Sequence, residues 1–400
     1  MDKRKVIGCT ILMCLSIFTS GCWDRRELQE RNFVLAVAID TADAGFKPEQ
    51  GAEVKRIETF LQPHGTKRYR LSLQLLKPSS SGDEKDKART YVISNTGESM
   101  FEMVRDMLGQ SSKSLWFEHV QAIIISESVL KQAGLGEVLD FFKRDSEMRS
   151  RIKIYVTSGE ARRFLEYNPP SKEAGGLYLA EIIGLHVRNV HVVGARTDLG
   201  FVIQYLDNNA DLLLPRIEMA GKVVKMGGAA LFRKDKLIGY ADEYAVAGRK
   251  FAAATEKSAI VTIPCPDHPD HQVIFELFRH DTRLRPHVDG DNLYFTLDIN
   301  MYGNIGEIQG DIGQDNIMDT LYIHKLETAF AEEIKRNVLY AENVFKKQMR
   351  VDPISLFGGK LRAYEPETWA KVKDQWNEIY PDVPLVISVN VSILNIGSHK

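Results

Sequence analysis

The sequence predicts a mixed α+β protein of more than one domain. Segments with the two-residue period of strands alternate with segments that have the three-to-four-residue period of helices. The chain has 400 residues, more than one hydrophobic core usually holds, so two or three domains are expected. Charged residues make up 26% and hydrophobic residues 44% of the chain, the balance of an ordinary folded protein.

The first half of the chain supplies most of this alternation. Residues 33–39 form a continuous apolar run typical of a buried strand, and residues 69–75 alternate as a half-buried strand does. Residues 77–89 are polar and read as a loop. Further strands are predicted at 91–93, 120–125 and 152–156, and helices at 98–108, 126–130, 138–142, 159–165, 177–187 and 199–208.

The helix at 98–108 is expected to be capped by Asn95 or Thr96. Its apolar residues, including Phe101 and Leu108, are predicted to share one buried face.

A boundary is predicted near residues 210–221, where the composition changes at Pro215. This gives an N-terminal α/β region of one or two domains at 33–215 and a C-terminal α/β domain at 216–400. Residues 223–232 and 237–240 flank a polar turn and predict a β-hairpin. The Gly227-Gly228 pair within this hairpin indicates that another element packs closely over it. A phosphate-binding loop is not predicted here, because the other residues of that motif are absent.

The C-terminal region has the clearest strand period of the chain, at 293–302. Apolar residues then recur every three to five positions from Ile317 to Phe345, which predicts a long amphipathic helix covering the sheet. Trp369 and Trp376 are seven residues apart, as on one helix face, and are expected to pack on the final strand at 387–393.

The first 21 residues are typical of an export signal. A basic leader at 2–5 precedes an apolar run at 6–18, which is too short to span about 30 Å of hydrocarbon. Cys22 follows the small residues Ser20 and Gly21, so we expect residues 1–21 to be removed as a lipoprotein signal peptide and Cys22 to carry a diacylglyceryl group. The residues that specify cleavage are Thr19, Ser20 and Gly21.

Two alternatives remain for this segment, because Thr19 stands where a lipoprotein signal usually has leucine. They are an ordinary cleaved signal peptide and an uncleaved anchor helix. With two acyl chains on Cys22, the mature protein would be held stably on a bilayer without spanning it.

Charge and cysteine content exclude several classes of protein. The formal net charge is −2 and no basic run occurs beyond the leader, so nucleic acid is not expected as a partner. Cys9 and Cys14 belong to the predicted signal peptide and Cys22 to the lipid site, which leaves Cys265 alone. No disulfide is therefore expected within the mature monomer.

The search for catalytic or metal-binding motifs finds one cluster, Cys265, His268 and His271. Its spacing suits zinc, but a closed site needs a fourth ligand, which His280 or His287 would have to supply. We expect a proline-stiffened loop and no metal. The sequence has neither a Gly-x-Ser-x-Gly elbow nor a His-Glu-x-x-His helix, so no enzyme activity and no cofactor besides the lipid are expected.

The residues that follow the signal carry a family resemblance. The run Cys22-Trp23-Asp24-Arg25-Arg26-Glu27-Leu28 at a lipidation site, with the apolar segment 33–40 after it, resembles the start of the Ger(x)C family. This family comprises the lipoprotein C subunits of bacterial spore germinant receptors. Residues 236–243 resemble the opening of its C-terminal domain and 352–393 its end, so the resemblance covers nearly all of the mature chain.

The resemblance implies three mixed α/β domains on the outer face of the spore inner membrane, beside polytopic A and B subunits. It also implies a role in the receptor assembly or signalling that triggers germination. Residues 22–32 would be the anchor and linker, whose candidate interaction residues are Trp23, Asp24, Arg26, Glu27 and Leu28. Two rival classes are a lipoprotein that captures a small molecule directly and a cell-wall enzyme. The sequence leaves open whether a nutrient contacts this subunit.

Overall fold

The computed structural model describes residues 30–42, 68–77, 90–185, 188–194, 196–255, 258–290, 292–310 and 319–396. Helices and two sheets make up these residues, which confirms the mixed α+β class. The predicted signal peptide, Cys22 and the candidate interaction segment from Trp23 to Leu28 lie outside the described residues. So do most of the predicted loops before and after the strand at 69–75.

The larger sheet has nine strands in the order β3-β2-β1-β5-β6-β7-β8-β9, with β4 paired to β1. Its strands β1, β5 and β6 are mutually parallel, and antiparallel pairs lie on both sides of them. The strands are β1 Arg31–Thr41, β2 Tyr69–Leu76, β3 Thr90–Gly97, β4 Ser114–Trp116, β5 Ala122–Ser126, β6 Lys153–Thr157, β7 Leu212–Ala220, β8 Val223–Arg233 and β9 Lys236–Ala241.

Helices cover both faces of this sheet. They are α1 Met100–Met107, α2 Glu127–Gln132, α3 Leu135–Arg144, α4 Arg162–Leu165, α5 Gly175–Gly184 and α6 Leu199–Asp207. Helices α1, α2, α3 and α6 bury one apolar cluster against the strands, and α4 and α5 bury a second on the opposite face. Strands covered on both sides read as continuous apolar runs, which explains the pattern at 33–39.

The prediction that residues 69–75 form a half-buried strand was wrong, because β2 is buried on both faces except at its last residue. Its buried polar side chains have partners elsewhere in the larger-sheet region, Ser72 bonding to Ser94 of β3 at 2.7 Å. Gln74 donates to the Leu165 carbonyl at 2.7 Å and accepts the Gly176 N–H at 3.2 Å. Arg70 donates to Glu160 and lies 3.6 Å from Asp40.

The hairpin predicted at 223–240 is formed by β8 and β9. At Gly228 φ is +71°, and a Cβ there would lie 2.6 Å from the Ala241 carbonyl oxygen, so both conformation and space require glycine. The predicted boundary between residues 215 and 216 falls inside β7, and the larger sheet takes strands from both sides of it. Strands β7, β8 and β9 extend the larger sheet and do not form a sheet of their own. The described residues therefore contain two sheets.

The smaller sheet has the order β10-β11-β12-β13. Its strands are β10 Ala259–Pro264, β11 Gln272–Asp289, β12 Asn292–Ile308 and β13 Leu385–Asn395. Its helices are α7 Glu243–Ala253, α8 Thr320–Glu342, α9 Leu356–Tyr364, α10 Pro366–Val372 and α11 Trp376–Ile379. Helix α8 buries a stripe that includes Leu326, Phe330 and Ile334 on the sheet, and a π-helical turn, Asn343–Gln348, continues it.

The strand at 293–302 and the long amphipathic helix are therefore confirmed. Within the described ranges, no helix combines the length and the apolar character needed to cross a bilayer.

Candidate functional site

A groove lies between α1 and α3 on the larger sheet. Two cavities of about 460 and 470 Å³ flank Phe101 within this groove, and both are lined by Phe101, Phe141, Arg144 and Asp145. We call this surface the Phe101 groove.

The exposure of Phe101 follows from the position at which α1 begins. Ser99 is the N-cap, its hydroxyl accepting the Glu102 N–H at 3.4 Å, so the prediction of Asn95 or Thr96 as cap was wrong. The buried residues of α1 are Met100, Met103, Val104 and Met107. Phe101 lies about 100° around the helix from Met100 and projects into the groove.

Phe101 is 53% exposed and Leu108 is 41% exposed, so the prediction that both belong to the buried face was wrong. The helix has more apolar residues than one face can bury, and the surplus side chains line the groove. An exposed apolar patch rimmed by polar groups is typical of an interaction site.

Aromatic rings connect the groove to the core beneath it. The ring centroid of Phe141 lies 6.0 Å from that of Phe101, 6.1 Å from that of Phe117 and 5.1 Å from that of Phe142. Phe117 and Phe142 are buried. Because the base of the groove is packed against the core, Phe101 is held on a rigid support.

The rim of the groove is charged and mainly acidic. Its acidic residues are Glu98, Glu137, Asp140, Asp145 and Glu147, and its basic residues are Arg105 and Arg144. Arg144 Nε donates to both carboxylate oxygens of Asp140, at 2.9 and 3.0 Å. Arg105 lies over the Phe101 ring, 5.0 Å from its centroid.

Tyr69 closes one end of the groove by donating its hydroxyl to Glu137 at 2.9 Å. Burial and the Glu137 carboxylate raise the pKa of Tyr69 well above its usual range, so the hydroxyl stays protonated and keeps donating. The acidic excess suits a partner that presents apolar side chains flanked by basic ones.

The groove lies beside the start of β1, the first strand that the structure describes. Strand β4 pairs in parallel with Arg31–Phe33 of β1, and Ser114 and Leu115 of β4 line the groove. The Arg31 guanidinium stacks on Trp116 at 3.1 Å from the ring centroid. Arg31 follows Cys22 by nine positions, a span of at most about 30 Å when extended.

A second feature is a buried polar cluster, the Asp352 junction, where the C-terminal helices meet the larger sheet. Asp352 accepts the Phe357 N–H at 3.1 Å, the Gly358 N–H at 2.6 Å and the Trp376 indole N–H at 3.1 Å. Burial raises the pKa of Asp352, while Arg249 and these three donors oppose that rise. The carboxylate thereby fixes the start of α9 against α11.

Two residues of the junction have left-handed backbone conformations, Ile354 with φ 60° and Ser355 with φ 49°. Such a conformation is strained for a β-branched residue and needs support from its surroundings. The Ile354 N–H donates to the Asp211 carbonyl at 3.0 Å, and the Ile354 carbonyl accepts the Tyr205 hydroxyl at 3.3 Å. Both partners belong to the larger-sheet region, so the strained turn ties the two regions together.

Glu342 and Lys346 extend this junction along the π-helical turn. Burial raises the pKa of Glu342 from 4.5 to about 7, against the opposing effects of Lys346 and Arg249. Tyr380 donates to Glu342 at 3.5 Å, and Lys346 donates to the Val383 carbonyl.

The two tryptophans lie on separate short helices, α10 and α11, and not on one helix face as expected. Their rings meet edge to face at 5.6 Å, and Trp376 packs on Phe295 and Tyr380.

The candidate zinc ligands are not assembled into a site. Cys265 is buried with its sulfur 3.3 Å from the Tyr322 hydroxyl, and the His268 and His271 rings are 5.8 Å apart. His280 and His287 pair with Thr282 and Thr296 instead. Among the residues that the structure describes, no three histidine, cysteine or carboxylate side chains are grouped to hold a metal ion.

Sequence reasoning missed both the Phe101 groove and the Asp352 junction. A usable signal for the groove was the surplus of apolar residues around α1. The sequence signal for the junction was weaker. It was the Asp352-Pro353 pair, which shortly precedes the Gly-Gly pair at 358 and 359.

Two protein-family models match the chain. The model for the spore germination protein N-terminal domain matches residues 24–219, and the model for the spore germination B3/GerAC-like C-terminal region matches residues 227–397.

Similar proteins come from Bacillus subtilis strain 168. Spore germination protein YndF is 27% identical over 410 residues, covering 100% of this chain and 98% of that protein. Spore germination protein B3 is 20% identical and covers 97% of each. The crystal structure of the GerBC protein matches with a TM-score of 0.57 at 19% identity, covering 82% of this chain and 94% of that one, which shows a shared fold.

Proposed function

The chain belongs to the Ger(x)C family of spore germination proteins, and we propose that it is the lipid-anchored C subunit of a nutrient germinant receptor. In this proposal it sits on the outer face of the spore inner membrane and binds the polytopic A and B subunits. Its task is receptor assembly or signalling, with no catalytic step and no cofactor other than the diacylglyceryl group on Cys22.

The observation that carries the proposal is the position of the Phe101 groove beside the start of β1. A lipid on Cys22 would hold Arg31, and with it the groove, within about 30 Å of the bilayer surface. A tether of this length raises the effective concentration of a membrane partner to the millimolar range. Weak contacts in the groove would then suffice for stable assembly.

The occupant we propose for the groove is an extracytoplasmic segment of a polytopic subunit, with apolar side chains and basic flanks. Such a segment matches the exposed Phe101 and the acidic rim. The tether residues Trp23, Asp24, Arg26, Glu27 and Leu28 precede the groove in the chain and would add contacts at the same membrane-proximal end.

The direct test is to purify the tagged chain from detergent-solubilised spore inner membranes and identify the proteins that copurify. We expect two polytopic subunits with the wild-type chain, and loss of both with Cys22→Ala, because the variant leaves the membrane. A wild-type chain that is membrane-bound and folded but copurifies with no polytopic protein would contradict the proposal.

The cavities also favour a second candidate function, direct capture of a small molecule, because about 460 Å³ is within the range of ligand sites. A thermal-shift series on the mature chain with amino acids, sugars and nucleosides separates the two candidates. A ligand at one hundred times its Kd stabilises the folded state by about 2.7 kcal/mol. A saturable shift would make this subunit a direct sensor, and no shift favours assembly alone.

A further inference from the structure

Strand β13 leaves a long edge of the smaller sheet open. It pairs with β12 on one side, and no strand in the described part of the chain pairs with its other side. Its 11 residues, Leu385–Asn395, include no charged residue, no proline and no glycine. Exposed edges are normally protected by such residues or by shortness. The opposite edge, β10, has 6 residues and ends at Pro264.

The backbone groups that face this open edge can be identified from the pairing with β12. The Pro384 carbonyl accepts the Phe295 N–H at 2.9 Å, so residues in step with Pro384 point towards β12. The alternate residues, Ile387, Val389, Val391 and Ile393, point outwards. In agreement, the Ile393 N–H is bonded to Glu327 on α8 at 2.9 Å.

The sequence of β13 is nearly palindromic about Asn390. Val389 mirrors Val391, Ser388 mirrors Ser392, and Ile387 mirrors Ile393. The next pair outwards is Val386 and Leu394, which are both apolar and are 58% and 65% exposed. An antiparallel pair of identical strands centred on Asn390 would therefore place like against like from Val386 to Leu394, and only the terminal pair, Leu385 and Asn395, would be unlike.

We propose that two copies of this chain pair through β13, antiparallel, about a two-fold axis at Asn390. An isologous contact of this kind is the commonest way in which identical chains associate. Val389 of each copy exchanges both backbone hydrogen bonds with Val391 of the other, since both residues point outwards. These four bonds form without disturbing Glu327.

Side chains on both faces of the combined sheet support the same register. On the inner face, each Val389 meets Val391 of the second copy, and this apolar pair continues the core of the smaller sheet. On the outer face, Ser388 meets Ser392, and Val386 meets Leu394, which removes two exposed apolar side chains from water. The inference does not depend on the proposed receptor role.

Disulfide trapping of the full mature chain in detergent tests both the contact and its register. Asn390 faces its own copy in a non-hydrogen-bonded pair, with Cα atoms about 4.5 Å apart, which suits a disulfide. We expect Asn390→Cys to form a covalent dimer on mild oxidation. The wild-type chain, in which Cys265 is buried, reports the background.

The register control uses Ser388, on the same face of the same strand. Two copies of Ser388 would be four residues out of step, about 13 Å apart, so Ser388→Cys alone should not crosslink. A mixture of Ser388→Cys and Ser392→Cys should crosslink. Equal trapping of Ser388→Cys and Asn390→Cys would overturn the proposed pairing.

An independent test removes one outward N–H. Val389→Pro loses a hydrogen bond to the second copy and none to β12, so the monomer should keep its melting temperature. We expect its dimer dissociation constant, measured by analytical ultracentrifugation, to rise more than tenfold. An unchanged constant, or a wild-type chain that is monomeric at every concentration, would overturn the proposal.

Discussion

The Phe101 groove and the Asp352 junction use charged and aromatic residues in opposite ways. In the junction, Asp352 and Glu342 are buried, and Asp352 accepts hydrogen bonds from three N–H groups. In the groove, Asp140 and Arg144 pair at the surface, and Phe101 is exposed above a packed aromatic base. The junction therefore stabilises the fold, whereas the groove leaves apolar surface available for a partner.

Structural and binding roles in this molecule can therefore be separated by substitution. Changes in the junction should reduce the free energy of unfolding, and changes in the groove should leave it nearly unaltered.

Asp352→Ala should lower the free energy of unfolding by about 3–5 kcal/mol, because three buried donors lose their acceptor and Arg249 loses a nearby negative charge. The matched change in the groove, Asp140→Ala, removes an exposed ion pair and should cost about 0.5 kcal/mol or less. Urea denaturation followed by circular dichroism measures both. Similar costs for the two variants would remove the distinction between the regions.

Stability should fall as the pH rises through the range in which Glu342 titrates. Its pKa is raised from 4.5 to about 7, so the folded state holds the proton more tightly and is favoured below pH 4.5. At about 1.4 kcal/mol per pKa unit, up to about 3 kcal/mol is lost as the pH passes 7. Among the charged neighbours, Lys346 and Arg249 lower the pKa of Glu342, and Asp352 raises it.

Glu342→Gln should flatten this pH dependence in denaturant melts between pH 4.5 and 8. Glu332→Gln, an exposed position on the same helix, serves as the control and should retain the wild-type slope. Parallel slopes for wild type and Glu342→Gln would show that the buried carboxylate does not titrate in this range.

Gly248→Ala and Gly136→Ala should have opposite signs. A Cβ at Gly248 on α7 would lie 2.0 Å from the Asn337 carbonyl oxygen of α8, so alanine forces the helices apart and costs about 1–3 kcal/mol. No atom lies within 4 Å of a Cβ at Gly136 on α3, where alanine should stabilise the helix by roughly 0.5–1 kcal/mol. Thermal melts of both variants check this, and destabilisation by Gly136→Ala would refute the open packing at α3.

Phe101→Ala should have only a small effect on stability, about 1 kcal/mol or less, because 53% of the residue is already exposed. The control Phe330→Ala, at a fully buried position, should cost about 3–5 kcal/mol. A loss above 2 kcal/mol for Phe101→Ala would assign the groove a structural role.

The sequence predicted the fold class because buried strands and amphipathic helices leave direct patterns. The strand at 33–39, the hairpin at 223–240 and the helix that includes Phe330 all depend on local periodicity. Strand β2 was misjudged because Arg70, Ser72 and Gln74 are polar yet buried. Their partners are distant in sequence: Glu160 pairs with Arg70, Ser94 of β3 bonds to Ser72, and α4 and α5 bond to Gln74.

Neither of the two sites could be read from periodicity alone. The Asp352 junction joins Asp211, Tyr205 and Trp376 through contacts that are distant in sequence. The predictions for Cys22 and for the segment from Trp23 to Leu28 stay predictions, since those residues lie outside the described part of the chain.

The central claim is that this chain assembles with membrane subunits through the Phe101 groove. We would measure copurification of polytopic subunits from spore inner membranes with Phe101→Asp and with Phe278→Asp, a 50% exposed phenylalanine on β11. The account predicts equal melting temperatures for the two variants, with loss of the subunits for Phe101→Asp alone. Retention of the subunits by Phe101→Asp at the wild-type level would contradict it.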